Sequence, residues 1–202
     1  MAATEAAYRA SLALECKTLR HLLDAERRLA ADARAPIREA AEAGLVAAER
    51  ALAAKPDDAS AQLLVGLNVA MVGVGQGKIA AFMNGIPQRV LTAANRAIKL
   101  DQRIDCAGPL QLMGRFRSIV PWPYRDLKLA RDALDEAVAI APVKQSLFFL
   151  GDMHARLGDL DAARAAWNAA LDAQPFPPAQ RLAPLVDKLI ERRLALAASP
   201  RR

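Results

Sequence analysis

The stretch MVGVGQGKIAAFMNG, residues 71–85, carries the residue types of a phosphate cradle. Gly73, Gly75 and Gly77 stand at alternate positions and Lys78 follows them. Glycine frees backbone N–H groups to approach an anion, and a lysine behind them neutralises it. The spacing does not fit that chemistry. A P-loop with its last Gly-Lys at Gly77-Lys78 needs a glycine at position 72 and a Ser or Thr at 79. The chain has Val72 and Ile79 there, and the flanks read as helix. The dinucleotide fingerprint G-x-G-x-x-G fails too, because the spacing here is G-x-G-x-G. The glycines are expected to turn the chain or to let a neighbouring helix pass close by.

Other reactive residues are sparse. His21 follows Cys16 by five positions, so the two do not share a helical face well. His154 falls at a packing position. Asp57-Asp58 follows Pro56 and suits a helix cap, and Asp135-Glu136 is a charge pair on a helix surface. No Ser-His-Asp set, H-E-x-x-H or metal spacing appears. No catalytic residue, metal or cofactor is expected, and the protein is not expected to be an enzyme. Cys16 and Cys106 lie far apart and are read as free thiols.

The elements around these residues follow from composition and periodicity. Hydrophobic residues make up 53% and charged residues 25%, as in a foldable domain. Aromatics are only 4%, so Ala, Leu, Val and Ile must build the core, which suits close helix packing. The N-terminal MAATEAAYRASLALECK is interrupted by Glu5, Arg9 and Glu15, unlike an export signal or a lipidated cysteine. The expected location is cytoplasmic, or periplasmic if a leader has been trimmed. Residues 58–78 are nearly uncharged, but Ser60, Gln62, Asn68, Gln76 and the glycines read as a buried helix rather than a membrane span.

The net charge of +6 is unevenly placed. Residues 1–60 hold 9 basic and 10 acidic groups, residues 61–125 hold 8 and 2, and residues 126–202 hold 11 and 10. The excess is Lys78, Arg89, Arg96, Lys99, Arg103, Arg115, Arg117 and Arg125. Such a zone is an ordinary solvated face, or it attracts nucleic acid, anionic lipid or an acidic partner. Its few aromatics, Phe82, Phe116, Trp122 and Tyr124, offer no evident stacking platform, so nucleic acid is not the expected partner.

Residues 142–175, PVKQSLFFLGDMHARLGDLDAARAAWNAALDAQP, form one helical hairpin by pattern. Leu147, Leu150, Met153 and Leu157 recur at helical spacing. Gly158-Asp159 makes a turn, with Asp159 as a cap. Leu160, Ala163, Trp167, Ala170 and Leu171 follow, and Pro175 closes the second helix. This resembles a tetratricopeptide repeat, W-x2-L-G-x2-Y…A-x3-F…P. Leu147 stands for the Trp, Leu150-Gly151 for the Leu-Gly pair and His154 for the Tyr. Ala163, Trp167 and Pro175 take the small, aromatic and closing places. Earlier segments repeat the scheme with insertions: PWPY at 121–124 lengthens one hairpin, and the glycine stretch lengthens another. The expected fold is all-α, a tetratricopeptide-like right-handed array forming one domain over 1–202. Its hairpins are expected at about 4–55, 58–101, 106–141 and 143–174, with Pro36 opening the second helix of the first. A capping helix is expected at about 178–198, with Leu182, Leu185, Val186, Leu189, Ile190 and Leu194 on one stripe.

Over residues 45–175 the chain is also similar to the T component associated with TRAP transporters. The similarity rests on the Gly-Pro…Gly-Arg helix GPLQLMGRFRSIV, the proline-rich loop and the helix ending ALDEAVAIAP. More distantly it resembles regulator of microtubule dynamics proteins. These resemblances imply a helical interaction protein that binds partner proteins and forms oligomers.

In such an array the first helix of each hairpin lines the concave face. The register places Leu63, Leu67 and Ala70, then Gln111, Arg115 and Ser118, then Gln145, Phe148, Asp152 and Arg156 on that face. An apolar strip with arginines near one end suits an amphipathic peptide or helix anchored by an acidic or C-terminal carboxylate. The Lys/Asn clamp of chaperone-binding repeats is not reproduced. Leu63, Leu67 and Phe148 equally suit packing against the N-terminal hairpin or a second copy in a homo-oligomer. The expected function is a non-enzymatic scaffold for a protein or peptide partner. The alternative is a soluble accessory component related to transport systems, with an apolar small ligand near Met71, Phe82 and Met83.

Overall fold

Asp58 opens the first fully described hairpin, where its carboxylate accepts a hydrogen bond from the Ala61 N–H at 2.9 Å. That satisfies one of the donors a helix start leaves open. The structure, a computed structural model, describes residues 31–198 together with Ala2, Glu5 and Arg9. The expected first helix of the N-terminal hairpin, with Cys16 and His21, lies almost wholly outside the described residues. Among the described residues the regular structure is entirely helical. In order it comprises α1 (Ala31–Ala54), α2 (Ala59–Gln76), α3 (Lys78–Met83), α4 (Ile86–Asp101), α5 (Ile104–Ile119), α6 (Leu127–Ile140), α7 (Lys144–Leu157), α8 (Leu160–Asp172), a 3-10 segment (Pro177–Leu182) and α9 (Ala183–Ala198). Contacts divide the array into two compact units, Met1–Ile104 and Asp105–Arg202, where the sequence suggests one continuous domain.

In the first unit, α2 packs between α1 and α4. Pro36 does not open a helix as expected. It lies inside α1, and the buried stripe of Ile37, Ala41 and Ala48 follows directly after it. Packing of that stripe on α2 tolerates the hydrogen bond that a proline removes. By length and composition α2 resembles a membrane span, with a mean hydropathy of 1.3 over 18 residues, yet half of it is buried inside the protein. The glycine stretch has two structural uses. A Cβ on Gly75 would stand 2.9 Å from the Arg38 Cα, so the α1 and α2 backbones meet there. A Cβ on Gly73 would stand 2.8 Å from Ile86 Cγ2 on α4. Gly77, at φ 84°, ends α2, and Gly85, at φ 67°, starts α4. Between these two bends the insertion folds into the short helix α3.

The second unit begins at a left-handed turn. Asp105, Cys106 and Ala107 have φ of 49°, 54° and 64°, a conformation costing roughly 1–2 kcal/mol per residue without glycine. The Gln111 side chain donates to the Cys106 carbonyl at 2.7 Å and steadies this turn. Burial, then the Asp105 charge beside it, pushes the Cys106 thiol above its usual range. The regular part of α5 follows.

Two hairpins then repeat one contact. A Cβ on Gly114 of α5 would fall 2.5 Å from Leu134 Cγ on α6. A Cβ on Gly151 of α7 would fall 2.4 Å from Trp167 Cδ1 on α8. Between the hairpins, Ala130, Leu134, Leu150 and Met153 make a shared core. Asp126 and Asp159 cap α6 and α8 by accepting from the N–H groups of Leu129 and Ala162.

The capping helix starts differently from expectation. Residues Pro177–Leu182 are 3-10, and the α-helix begins only at Ala183. The physical reason is Pro184. It has no N–H to give the Gln180 carbonyl, which favours a break in the α-helix at this point. The Ala183 N–H bonds Gln180 instead. Val186, Leu189 and Ile190 bury their side chains, and Leu185 and Leu194 are half-buried. Lys144 joins these elements. Its buried Nζ donates to the carbonyls of Ala170 and Leu171, at the end of α8, and to Asp187 on α9 at 2.6 Å. A cation there meets both the open carbonyls and the negative end of the helix.

Two stability tests follow from these contacts. Gly151→Ala is expected to cost roughly 1–3 kcal/mol by overpacking against the indole, read as a lower urea midpoint. Lys144→Met is expected to cost roughly 1–3 kcal/mol by leaving two carbonyls and Asp187 without their donor, read in the same assay.

Candidate functional site

Asp152 sits near the middle of α7, one residue after the glycine that receives Trp167. Its side chain is only 7% exposed. A buried carboxylate needs hydrogen bonds and counter-charge. Both are supplied here: Arg115 Nη1 from α5 donates at 2.9 Å and Arg193 Nε from α9 donates at 3.1 Å. The Arg115 guanidinium also lies over the Phe149 ring, 5.2 Å from its centroid. Three elements of the second unit therefore converge on one acid.

The positive charge at this point exceeds what one acid neutralises. Arg156, one turn along α7 from Asp152, shares the site. Arg156 is exposed as a residue; partial burial of its guanidinium lowers its pKa, as do the charges of Arg115, Arg125 and Arg193, while Asp152 opposes them. An arginine remains a cation through such a shift. Arg156 makes no ion pair with a described residue. A cavity of about 250 Å³ opens between Asp152, Ala155, Arg156, Trp167 and Arg193. Its Trp167 wall is buried; the indole N–H lies against Gly151 and has no hydrogen-bond partner among the described residues. The arrangement can hold an anionic group against guanidinium donors; among the described residues no cluster of His, Cys, Asp and Glu could hold a metal.

The residues expected on the concave face separate into two groups. Arg115, Asp152 and Arg156 come together as described. The others are occupied internally. Leu63 is buried, and Leu67 packs on the core of Ala48 and Leu64 because α1 covers α2 there. Ala70 is half-buried. Gln111 holds the left-handed turn. The buried Ser118 hydroxyl donates to the Arg115 carbonyl at 2.7 Å. The Gln145 side-chain oxygen accepts from the Phe176 N–H at 3.1 Å. Phe148 is buried beside Phe149, with ring centroids 5.7 Å apart. An open apolar strip through these positions is therefore not what the fold presents. Met71 is half-buried, while Phe82 and Met83 face outward from α3. Another cavity of about 250 Å³ lies between α2 and α4, lined by Gln62, Val65, Gln88, Arg89, Thr92 and Ala93 rather than by those three.

Ala155, Arg193 and Trp167 are the parts of the site that the concave-face register omits. Arg193 follows Val186, Leu189 and Ile190 at helical spacing, which puts it on the inward side of α9. That periodicity was the available signal. Trp167 reads from sequence as core, and it is core on one face while it walls the cavity on the other.

Comparison with solved structures agrees with this architecture. The crystal structure of TTC0263, a thermophilic TPR protein of Thermus thermophilus, superposes with a TM-score of 0.61 at 15% identity, covering 96% of this chain and 98% of that one. The fold is tetratricopeptide-like. The crystal structure of MamA also matches, with a TM-score of 0.49, 16% identity and coverage of 79% and 92%. No protein-family model and no curated protein matches the sequence. Within this tetratricopeptide-like fold, Arg115 and Asp152 occupy the first helices of successive hairpins and Arg193 the cap.

Removing the shared acid separates structural from available arginines. Asp152→Ala is expected to lower stability by about 2 kcal/mol, since it strands Arg115 and Arg193. Arg156→Ala is expected to stay within about 0.5 kcal/mol of the parent. Paired thermal melts check the contrast.

Proposed function

We propose that the protein is a non-enzymatic interaction scaffold whose second unit docks an acidic segment of a partner protein. The observation that carries this reading is Arg156. It makes no ion pair with a described residue, and it stands at the wall of a cavity that Arg193 and Trp167 also line. An arginine presents a planar fork of donors that matches a carboxylate. Arg115 and Arg193 are already turned toward Asp152, so the site is positioned before a ligand arrives. Preorganised donors reduce the ordering cost of binding. The tetratricopeptide-like architecture supports the same function class, because stacked hairpins offer an extended surface for a peptide.

The choice of variant matters. Arg115→Glu would strip the buried Asp152 of a donor, and Phe148→Ala would hollow the core. Either would confuse folding with binding. Arg156→Glu changes only the cation that makes no ion pair with a described residue. A displayed peptide library containing acidic and neutral segments should enrich acidic ones on the parent protein. The best of these, followed by fluorescence anisotropy, should lose roughly tenfold or more in affinity on Arg156→Glu while the melting temperature holds. Enrichment of neutral apolar peptides, with no response to Arg156→Glu, would refute the proposal.

A further inference from the structure

Between the bends at Gly77 and Gly85, α3 shows an apolar side to solvent. Ile79 and Met83 are each 81% exposed and Phe82 is 45% exposed. They fall at i, i+4 and i+3, on one face of the turn. The opposite side is fixed: Ala81 is buried, 3.5 Å from where a Cβ on Gly73 would lie. The apolar side is therefore held outward by packing. Burial of Ile79 and Met83 would be favourable, and the unit leaves both mostly in water.

The charge around the turn has one sign. Between Asp58 and Asp101 the chain carries no acidic residue, while Lys78, Arg89, Arg96 and Lys99 fall in that interval. Arg89 and Arg96 are partly neutralised by Glu49 and Asp57. At α3 itself, Lys78 is exposed and the Arg34 guanidinium lies against Gly77, 3.1 Å from where its Cβ would be. Two cations thus stand at the foot of an outward apolar turn.

We propose that α3 docks the protein on an anionic lipid bilayer, with Ile79, Phe82 and Met83 entering the acyl boundary and Lys78 and Arg34 meeting the headgroups. Charge and size favour this occupant. Three side chains are far fewer than the roughly 20–30 residues a side of a stable protein interface. A bilayer takes apolar side chains one at a time, and nearby cations add attraction to an anionic surface. Lysine and arginine can lay their stems on apolar surface while the charge stays at the headgroups.

The test is co-sedimentation of the full chain with phosphatidylcholine vesicles and with vesicles of equal parts phosphatidylcholine and phosphatidylglycerol. The expected result is binding to the anionic vesicles and little to the neutral ones. Ile79→Ser with Met83→Ser, both at exposed positions, should weaken the partition roughly tenfold or more with an unchanged melting temperature. Lys78→Glu should reduce the preference for phosphatidylglycerol. Absence of vesicle binding would overturn the proposal, as would binding indifferent to the double serine change. So would self-association that the same change abolishes, because a second copy would then cover the turn. Arg156→Glu should leave vesicle binding intact, which separates this surface from the proposed peptide site.

Discussion

A bulky side chain on one helix resting on a glycine of its partner is the contact on which the second unit depends. Leu134 lies on Gly114 and Trp167 lies on Gly151. The contact fixes two things at once. It sets how closely the helices of a hairpin approach, and it sets their rotation, because only the glycine position has room for the large group. Once rotation is fixed, the residue after Gly151 is fixed too. Asp152 is turned toward α5 and α9, where Arg115 and Arg193 reach it. The polar site is a consequence of the steric one. A tryptophan beside a glycine also explains the cavity wall, since the same indole that fills the hairpin borders the space between α7, α8 and α9.

Electrostatics in this unit is economical in acids. Asp152 serves two arginines, and a third stands one turn away with no partner among the described residues. Like charges so close raise the energy of the unliganded state, although solvent at the exposed guanidinium groups screens much of it. A core helix gains little from such crowding. Hydrophobic residues of similar volume in place of a buried ion pair are often as stable or more so. The retained polar set makes physical sense if an additional anion relieves it. At the start of α7, Lys144 shows the contrasting case, a buried cation whose donors are all engaged by two carbonyls and Asp187.

Much of the architecture was legible in the sequence because hairpin packing leaves a periodic trace. The Leu150-Gly151, Ala163, Trp167 and Pro175 pattern located the last hairpin, and Gly158-Asp159 located its turn. Pro121 and Pro123 marked the loop before α6. The site was less legible. Side chains at concave-face register positions looked available, but register states direction and not cover. Whether Leu67 meets water depends on α1, and whether Gln111 does depends on a backbone turn at Asp105–Ala107 that no residue type there announces. Lys144 gave no signal either, since a lysine at a helix start ordinarily faces solvent. The extra helix within the glycine stretch was hidden because glycine marks bends without showing what the chain does between them.

The basic middle of the chain shows how a composition signal dissolves when read residue by residue. Arg89 and Arg96 meet Glu49 and Asp57 of the preceding segment. Arg117 donates to the Met113 sulfur and the Tyr124 carbonyl, and Arg125 donates to the Val120 carbonyl, so both hold the loop between α5 and α6. Arg115 is bound to Asp152. Five of the eight cations are therefore tied into local structure, and a uniform polyanion-binding face over 78–125 loses its basis. What remains is local: Lys78 beside an outward apolar turn in one unit, and in the other an arginine cluster that extends beyond the basic segment to Arg156 and Arg193. Charge counted along the chain pointed to neither, because each depends on side chains the fold gathers from separate segments.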